Sequence, residues 1–223
     1  MTVRAAVVTL AVLSALAGCG TASQPSPPTG VDELVIPTPT PDPEDFVDTV
    51  DNPWFPLAPG TTWTYAVNDV AGAHTMTVSV EPGPEVAGVP TTARVSSMGR
   101  DVVTDWFAQD DRGNVWWFGR DGSWQAGADG AEAGLAMAAE PRIGDGYRLA
   151  LAPGVSEDTA TVMALDDRVT VPAGTFDTLL VNGLSELEAG AHTETSYAEG
   201  VGLVAEQVVS GSYRSVRLER VEP

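Results

Sequence analysis

The chain has 223 residues, of which 31 are acidic and 11 are basic, so its net charge at neutral pH is −20. Nucleic acids and anionic lipid surfaces are bound through basic patches, and this charge argues against both as partners. With a single cysteine, the chain forms no intrachain disulfide and no metal site built from several cysteines.

The N-terminal segment has the pattern of a secretory signal. One positive charge, Arg4, precedes an apolar run from Ala5 to Leu16 that is broken by two hydroxyl residues. The run is shorter than the ~20 apolar residues that a membrane-spanning helix needs, and it ends in small residues, as signal peptides do. We therefore predict that residues 1–18 are a signal peptide.

The tetrapeptide Leu16-Ala17-Gly18-Cys19 resembles the bacterial lipobox, in which the cysteine is diacylated and becomes the new N-terminus. Cys19 is the only cysteine of the chain and lies at the lipobox position. The alternative is an ordinary signal peptide followed by a cysteine without a role. The resemblance implies that Cys19 carries a lipid, which would anchor the protein to a cell membrane on its extracytoplasmic side.

A proline-rich stretch follows, from residue 19 to residue 45. It contains seven prolines among Thr, Ser, Asp and Glu. Such alternation favours polyproline II, an extended spacer that rises ~3.1 Å per residue. We predict that residues 19–45 are a linker and that residues 46–223 form one folded domain.

Residues 46–223 consist of short runs in which apolar and polar residues alternate, separated by Gly, Pro and Asp turns. A period of two is typical of antiparallel strands with one buried face. The predicted strands are 61–67, 75–80, 91–98, 102–109, 114–118, 123–126, 147–151, 159–165, 169–171, 178–187, 192–198, 203–209 and 213–221.

This pattern predicts an all-β domain, an antiparallel meander that forms a strongly curved sheet or closes into a barrel. Curvature or closure protects the edge strands of such a sheet. The exception is the Ala- and Gly-rich segment 131–139, for which we predict one short helix or a covering loop.

Two turn sequences allow a strand register to be predicted. Residues 110–114 suit a type I turn followed by a left-handed Gly113, and residues 119–123 repeat this chemistry. The predicted pairs are Phe107 with Trp117, Trp106 with Phe118, and Phe118 with Trp124. In that register the side chains of Trp106, Phe118 and Trp124 form an aromatic row on one face.

Aromatic residues then lie on both faces of these hairpins, so both faces must be covered. One face belongs to the core. The other is covered by segment 131–139, by residues 54–57 or by a ligand. A hydrophobic ligand or a protein partner would contact Trp106, Phe118, Trp124, Trp54 and Phe55.

Several motifs resemble those of a bacterial lipoprotein family that carries NP(Y/W)FPL-PG-W-Y. The matching residues here are 51–57 (DNPWFPL) and 59–65 (PGTTWTY). The similarity continues through the motifs DRGNVWWFG, SWQAG, VTVPAGTF and YAEGVGLV, at 111–119, 123–127, 169–176 and 197–204. The last two also resemble envelope proteins with LolA-like or half-barrel sheets. The resemblance implies a curved antiparallel sheet and carries over no catalytic residue.

Motifs of common enzymes, such as Gly-x-Ser-x-Gly, His-Glu-x-x-His and Gly-x-x-x-x-Gly-Lys, do not occur in the sequence. Asp101 and Asp105 lie four residues apart on one predicted strand face. We interpret them as part of a solvated face, and Asp110 and Asp111 as turn residues. A non-enzymatic protein without a cofactor is expected.

One group of residues suggests an alternative metal site. Glu186, Glu188, His192 and Glu194 flank the turn 189–191. With a three-residue loop, Glu188 faces His192 and Glu186 faces Glu194, which brings three carboxylates and an imidazole together for a divalent cation. A two-residue loop would split the set between the two faces of the sheet. The favoured interpretation is a solvated outer face.

The sequence therefore predicts a lipid-anchored extracytoplasmic β-domain that binds a hydrophobic ligand or a protein partner. The alternative is a structural envelope lipoprotein without a small ligand.

Overall fold

The computed structural model describes residues 34–35, 42–188, 190–210 and 212–222. Within them lie a 15-stranded sheet and a 3₁₀ helix at Pro43–Asp45, which confirms the predicted all-β class. The strands are β1 (Leu34–Val35), β2 (Phe46–Val47), β3 (Thr62–Asp69), β4 (Gly72–Val86), β5 (Val89–Met98), β6 (Asp101–Asp110), β7 (Val115–Arg120), β8 (Trp124–Gln125), β9 (Glu132–Met137), β10 (Asp145–Ala152), β11 (Ser156–Val171), β12 (Gly174–Ser185), β13 (His192–Ala198), β14 (Gly202–Ser210) and β15 (Arg214–Glu222).

Twelve of these strands close into an antiparallel barrel. The order around it is β3, β4, β5, β6, β7, β9, β10, β11, β12, β13, β14 and β15, and β15 pairs with β3. The prediction left an open curved sheet and a barrel as alternatives, and the pairing decides for the barrel. Closure leaves these strands without a free edge, which removes the hazard of edge-to-edge association.

Burial along β3 follows the predicted alternation. Trp63, Tyr65 and Val67 are at most 5% exposed, and they share one face of the strand because side chains alternate with a period of two. Met76 and Val78 are their buried partners on β4, opposite Tyr65 and Trp63. The core therefore lies on the inner side of the closed sheet here.

The segment 131–139 is neither helix nor covering loop, because β9 occupies most of it. β9 pairs with β7 on one side and with β10 on the other, so it is an integral barrel strand. A Cβ atom on Gly134 would lie 2.1 Å from the Leu149 carbonyl oxygen, so the close approach of β10 requires glycine there. Alanine favours a helix locally, but pairing on both sides overrides that preference.

The first hairpin confirms part of the predicted register. Phe107 pairs with Trp117, and Gly113 has a φ of +89°, as the turn pattern predicts. The Asp110 N–H donates to the Asn114 carbonyl at 2.9 Å, which joins the strand ends at the turn.

The other predicted pairs are wrong, and no aromatic row forms. Trp106 lies opposite Gly119 rather than Phe118, and Trp124 lies opposite Arg120. The cause is a β-bulge, at which β7 has one extra residue, Phe118, in its pairing with β6. An extra residue reverses which side chains face inward beyond the bulge.

The expectation that both faces of this hairpin are covered is confirmed. Phe118 is 2% exposed, and the ring of Phe46 meets it edge-on, with the ring centroids 5.2 Å apart. Phe46 belongs to β2, which pairs with β6. β2 thus covers Phe118, and Ala131, from the predicted covering segment 131–139, packs in one buried cluster with Trp124.

The predicted signal peptide (1–18) and Cys19 lie outside the described residues. In the predicted linker, Leu34 and Val35 pair in parallel with Asp145 and Gly146, so this part of the linker joins the sheet. Among the residues that the structure describes, no helix has the length and apolar character that crossing a membrane requires.

Candidate ligand-binding site

The barrel contains two adjoining cavities, both partly open to solvent. The inner cavity measures about 230 Å³, and the outer cavity measures about 290 Å³. The inner cavity is lined from β3, β5, β6, β7, β9, β10, β13 and β14, which places it inside the closed sheet. The two cavities adjoin because five residues line both. One is Leu203, and the other four are charged and are called the polar belt here: Arg94, Asp105, Arg120 and Glu206.

Aromatic rings form much of the inner wall. Phe107 and Trp117 stack with centroids 6.3 Å apart and an interplanar angle of 20°. Phe55 lies 5.0 Å from Phe107 and 6.1 Å from Tyr197, centroid to centroid, and so bridges β6 and β13. Trp63 completes this wall from β3. Such a surface suits an apolar ligand, because rings offer large contact areas.

Asn52 holds the segment that carries Phe55. Its side-chain amide donates to the carbonyls of Gly113, at 2.8 Å, and Ala138, at 3.1 Å. Its side-chain oxygen accepts from the Trp54 N–H at 2.9 Å. Asn52 is 2% exposed, so these bonds are shielded from water. The motif around Asn52 thus positions Phe55 at the cavity.

Two tyrosines add neutral polar groups to the inner wall. The Tyr65 hydroxyl donates to the Leu203 carbonyl at 3.0 Å. Burial raises the pKa of Tyr65 to about 12, although the positive charge of Arg94 acts to lower it. Burial also raises the pKa of Tyr197, and the Glu206 carboxylate adds to that effect. Both phenols are therefore protonated at neutral pH.

Asp105 and Arg120 form the main ion pair of the polar belt. Arg120 Nε donates to Asp105 Oδ1 at 2.8 Å, and its Nη2 donates to Oδ2 at 3.3 Å. The guanidinium also lies 5.2 Å from the ring centroid of Trp117. Asp105 is 5% exposed, so the interpretation of Asp101 and Asp105 as one solvated face is wrong for Asp105. The bulge at Phe118 moves Arg120 opposite this carboxylate.

The other charges of the polar belt differ in their pairing. Arg214, which lines the outer cavity, binds the Glu206 carboxylate at 2.5 Å. Arg94 donates from Nη1 to the Ser96 hydroxyl at 3.3 Å. Among the described residues, Arg94 has no carboxylate oxygen within 4.0 Å. Arg94 is thus a half-buried guanidinium at the junction of the two cavities without an ion-pair partner.

The structure does not bring the five predicted ligand-contacting residues together. Phe55 lines the inner cavity, and Trp54 is partly buried against the core. Trp106 and Trp124 line a separate cavity of about 410 Å³. Phe118 is buried and lines none of the cavities described here. Of the predicted set, only Phe55 belongs to the barrel site.

The alternative metal site rests on a register that the structure contradicts. β12 ends at Ser185, so the predicted three-residue turn is not formed and Glu186 and Glu188 lie beyond the strand. The residues opposite His192 and Glu194 are Leu184 and Asn182, and Nε2 of His192 contacts the Asn182 side-chain oxygen. Among the described residues, no group of three or more His, Cys, Asp or Glu side chains is placed to hold a metal ion.

Sequence reasoning missed the polar belt. Arg94 stands between Ala93 and Val95 in the middle of a predicted strand, on the face opposite to both, where the alternation predicts a solvated side chain. In the structure Arg94 lines both cavities instead. The ion pair was hidden because the predicted register places Asp105 opposite Gly119, not Arg120.

Two solved structures are similar to this chain. A proposed exported protein with a YmcC-like fold, from Bacteroides fragilis, is 15% identical at a TM-score of 0.44, and the match covers 76% of this chain and 99% of that one. A proposed lipoprotein from Parabacteroides distasonis is 13% identical at a TM-score of 0.37, with 79% and 100% covered. No protein-family model and no curated protein matches the chain. At these low TM-scores neither structure bears on what this chain binds.

Proposed function

We propose that this protein is a lipid-anchored, extracytoplasmic and non-enzymatic binding protein that holds a hydrophobic ligand inside its barrel. The observation that carries the proposal is the inner cavity, whose wall includes Phe55, Trp63, Phe107, Trp117 and Tyr197. Ligand sites are typically concave and mostly apolar, with a few polar groups that orient the ligand. The inner cavity and the polar belt together have this composition.

The cavity sizes support a ligand larger than a solvent molecule. Typical ligand pockets begin at about 300 Å³. The inner cavity alone, at about 230 Å³, is smaller, but it adjoins the outer cavity of about 290 Å³. A ligand that extends through the polar belt would use both.

The location in this proposal rests on the N-terminal sequence. A signal-like segment and Cys19 in a lipobox-like tetrapeptide support a membrane-anchored protein on the extracytoplasmic side. A structural envelope protein without a small ligand is the competing function, and it requires the cavity to be empty in the cell.

Native mass spectrometry of the chain from residue 20 to residue 223, purified from its own host, tests the proposal. Every described strand lies within this range, so the barrel is retained. We expect a co-purifying mass of lipid size, together with binding of the uncharged dye N-phenyl-1-naphthylamine. Bare protein that does not bind the dye would favour the structural function.

A pair of leucine variants locates the binding. Leu203→Trp places a large ring where both cavities meet and is expected to abolish dye binding. Leu184→Trp makes the same change at a side chain that is 49% exposed on β12 and is expected to bind the dye like the wild type. Equal binding by both variants, with unchanged thermal unfolding, would show that the dye binds elsewhere.

A further inference from the structure

We propose that the ligand is an amphiphile with an anionic head group, which Arg94 binds while the apolar chain occupies the inner cavity. This inference rests on the proposed function and adds the chemical class of the ligand. The head group is a carboxylate or a phosphate, since both match the planar fork of donors on a guanidinium.

The charge balance of the polar belt singles out Arg94. Asp105 already accepts two hydrogen bonds from Arg120, and Glu206 accepts one from Arg214. Asp105 lies directly opposite Arg94 on the neighbouring strand, yet its carboxylate is turned to Arg120. Arg120 and Arg214 each contact a carboxylate, whereas Arg94 contacts none among the described residues.

The position of Arg94 fits an amphiphile better than a small free anion. Arg94 lines both cavities, so a group bound to it has the aromatic wall on one side and the outer cavity on the other. A chain that extends from the head group into the inner cavity buries apolar surface, at about 25 cal/mol per Å². A free anion gains nothing from that wall.

The surroundings also favour an anion over a neutral head group. A half-buried guanidinium has lost part of its hydration, and a hydrogen bond to a charged partner compensates best for that free-energy cost. Tyr197 lines the same cavity, and its hydroxyl is protonated and uncharged at neutral pH, so it can donate to an anion but carries no charge to pair with a cation. Asp101, the remaining acid of the outer cavity, is exposed next to the turn at Gly99 and opposes the anion least.

The test compares four probes on the chain from residue 20 to residue 223: dodecanoate, dodecyl phosphate, dodecanol and inorganic phosphate. Each is titrated against bound N-phenyl-1-naphthylamine, below its micelle-forming concentration. We expect the two anionic amphiphiles to displace the dye at lower concentration than dodecanol, and inorganic phosphate not to displace it. The better of the two anions tells whether the head group is a carboxylate or a phosphate.

Arg94→Gln removes the charge and is expected to weaken the binding of the anionic amphiphiles at least about tenfold, since a hydrogen bond to a charged group contributes about 1.5–3 kcal/mol. The affinity for dodecanol should not change. Arg94→Lys, which keeps the charge but not the fork, should give an intermediate loss. Arg148→Gln, at an exposed arginine of β10, is the control and should bind all probes like the wild type.

The outcomes separate the two proposals. A wild-type protein that binds none of the amphiphiles contradicts the proposed function itself. A wild-type protein that binds dodecanol as well as dodecanoate leaves the binding function standing and contradicts the anionic head group. An equal loss of dodecanol and dodecanoate binding in both Arg94 variants would show that Arg94 only supports the fold, and displacement by inorganic phosphate would contradict the apolar chain.

Discussion

Phe118 decides which side chains of β7 reach the inside of the barrel. As the extra residue of the bulge, it lets Trp117 face Phe107 and also brings Arg120 opposite Asp105. In a regular strand, residues three apart point to opposite faces, so Trp117 and Arg120 would be separated. The aromatic wall and the polar belt meet on β7 because of this one residue.

Trp124→Ala is expected to destabilise the protein by about 3–5 kcal/mol, as other large-to-small aromatic changes in cores do. Trp124 is 8% exposed, and its ring meets Trp117 at 5.1 Å between centroids. Denaturant unfolding beside the wild type measures the loss. Trp106→Ala is the control, since Trp106 is only half-buried, and it should cost less. A Trp124→Ala protein as stable as the wild type would contradict a core role.

The buried tyrosines predict a loss of stability at alkaline pH. An unfolded tyrosine ionises near pH 10, whereas the pKa of Tyr65 is raised by burial to about 12 and that of Tyr147 is raised by burial as well. Between these values the unfolded state releases protons that the folded state keeps, so stability falls as pH rises, by about 1.4 kcal/mol per pH unit and tyrosine. Below pH 10 both states are protonated and this effect is absent.

Tyr147→Phe tests the alkaline effect without removing a hydrogen bond. The Tyr147 hydroxyl is buried and has no partner among the described residues, so its removal should leave stability at neutral pH unchanged or raised. Denaturant unfolding as a function of pH should then give a shallower decline above pH 10. Tyr213→Phe, at an exposed tyrosine, should leave the slope unchanged, and an equal slope in all three proteins would contradict the explanation.

At the scale of elements, β9 shows how small residues admit a strand between two others. β9 pairs with β7 and β10, and Gly134 lies where the β10 backbone comes closest. Ala133 and Ala136 are also buried, but so are the larger Leu135 and Met137, so position 134 is the one where the close β10 backbone requires the smallest residue. A side chain there would push β9 away from β10.

Gly134→Ala should cost at least about 3 kcal/mol, at the upper end of overpacking effects, because the new Cβ meets the backbone of Leu149 at 2.1 Å. Gly183→Ala, in β12, is the matched control, since its Cβ would meet Thr193 at 3.7 Å, an ordinary contact. That change should be neutral or stabilising by ~0.5–1 kcal/mol. Thermal and denaturant unfolding measure both, and equal stabilities would show that β9 tolerates displacement.

At the scale of the whole molecule, the strong negative charge limits how the protein meets a membrane surface. The net charge of −20 opposes adsorption to anionic lipid. Attachment through Cys19, which lies outside the described residues, stays a prediction from the sequence.

Cys19→Ser should move the protein out of the detergent phase in a phase-partition experiment. Each buried CH₂ of an acyl chain contributes ~0.8 kcal/mol to membrane binding, and the variant would lack these chains. Ser14→Ala, in the signal but outside the lipobox-like tetrapeptide, should partition like the wild type. A Cys19→Ser protein that stays in the detergent phase would contradict lipid anchoring.

Some features of the candidate site followed from local sequence patterns. The pairing of Phe107 with Trp117 and the left-handed Gly113 depend on the turn between them, and turn chemistry acts over a few residues. Phe55 was predicted to contact a ligand, and it lies in the inner wall. The other four predicted residues do not line the inner cavity. Trp106, for example, follows Asp105 and precedes Phe107 in β6, so it lies on the opposite face of that strand from both.

By itself, the sequence determined the all-β class and the positions of nearly all strands, since alternation and turns record which face of each strand is buried. The tertiary structure alone decided that β15 closes on β3, that β9 is a strand, and that Arg94 lies at the junction of two cavities without an ion-pair partner. The physical reason is distance along the chain. Closure and cavity lining join residues far apart in sequence, and neither periodicity nor turn chemistry carries information about such contacts.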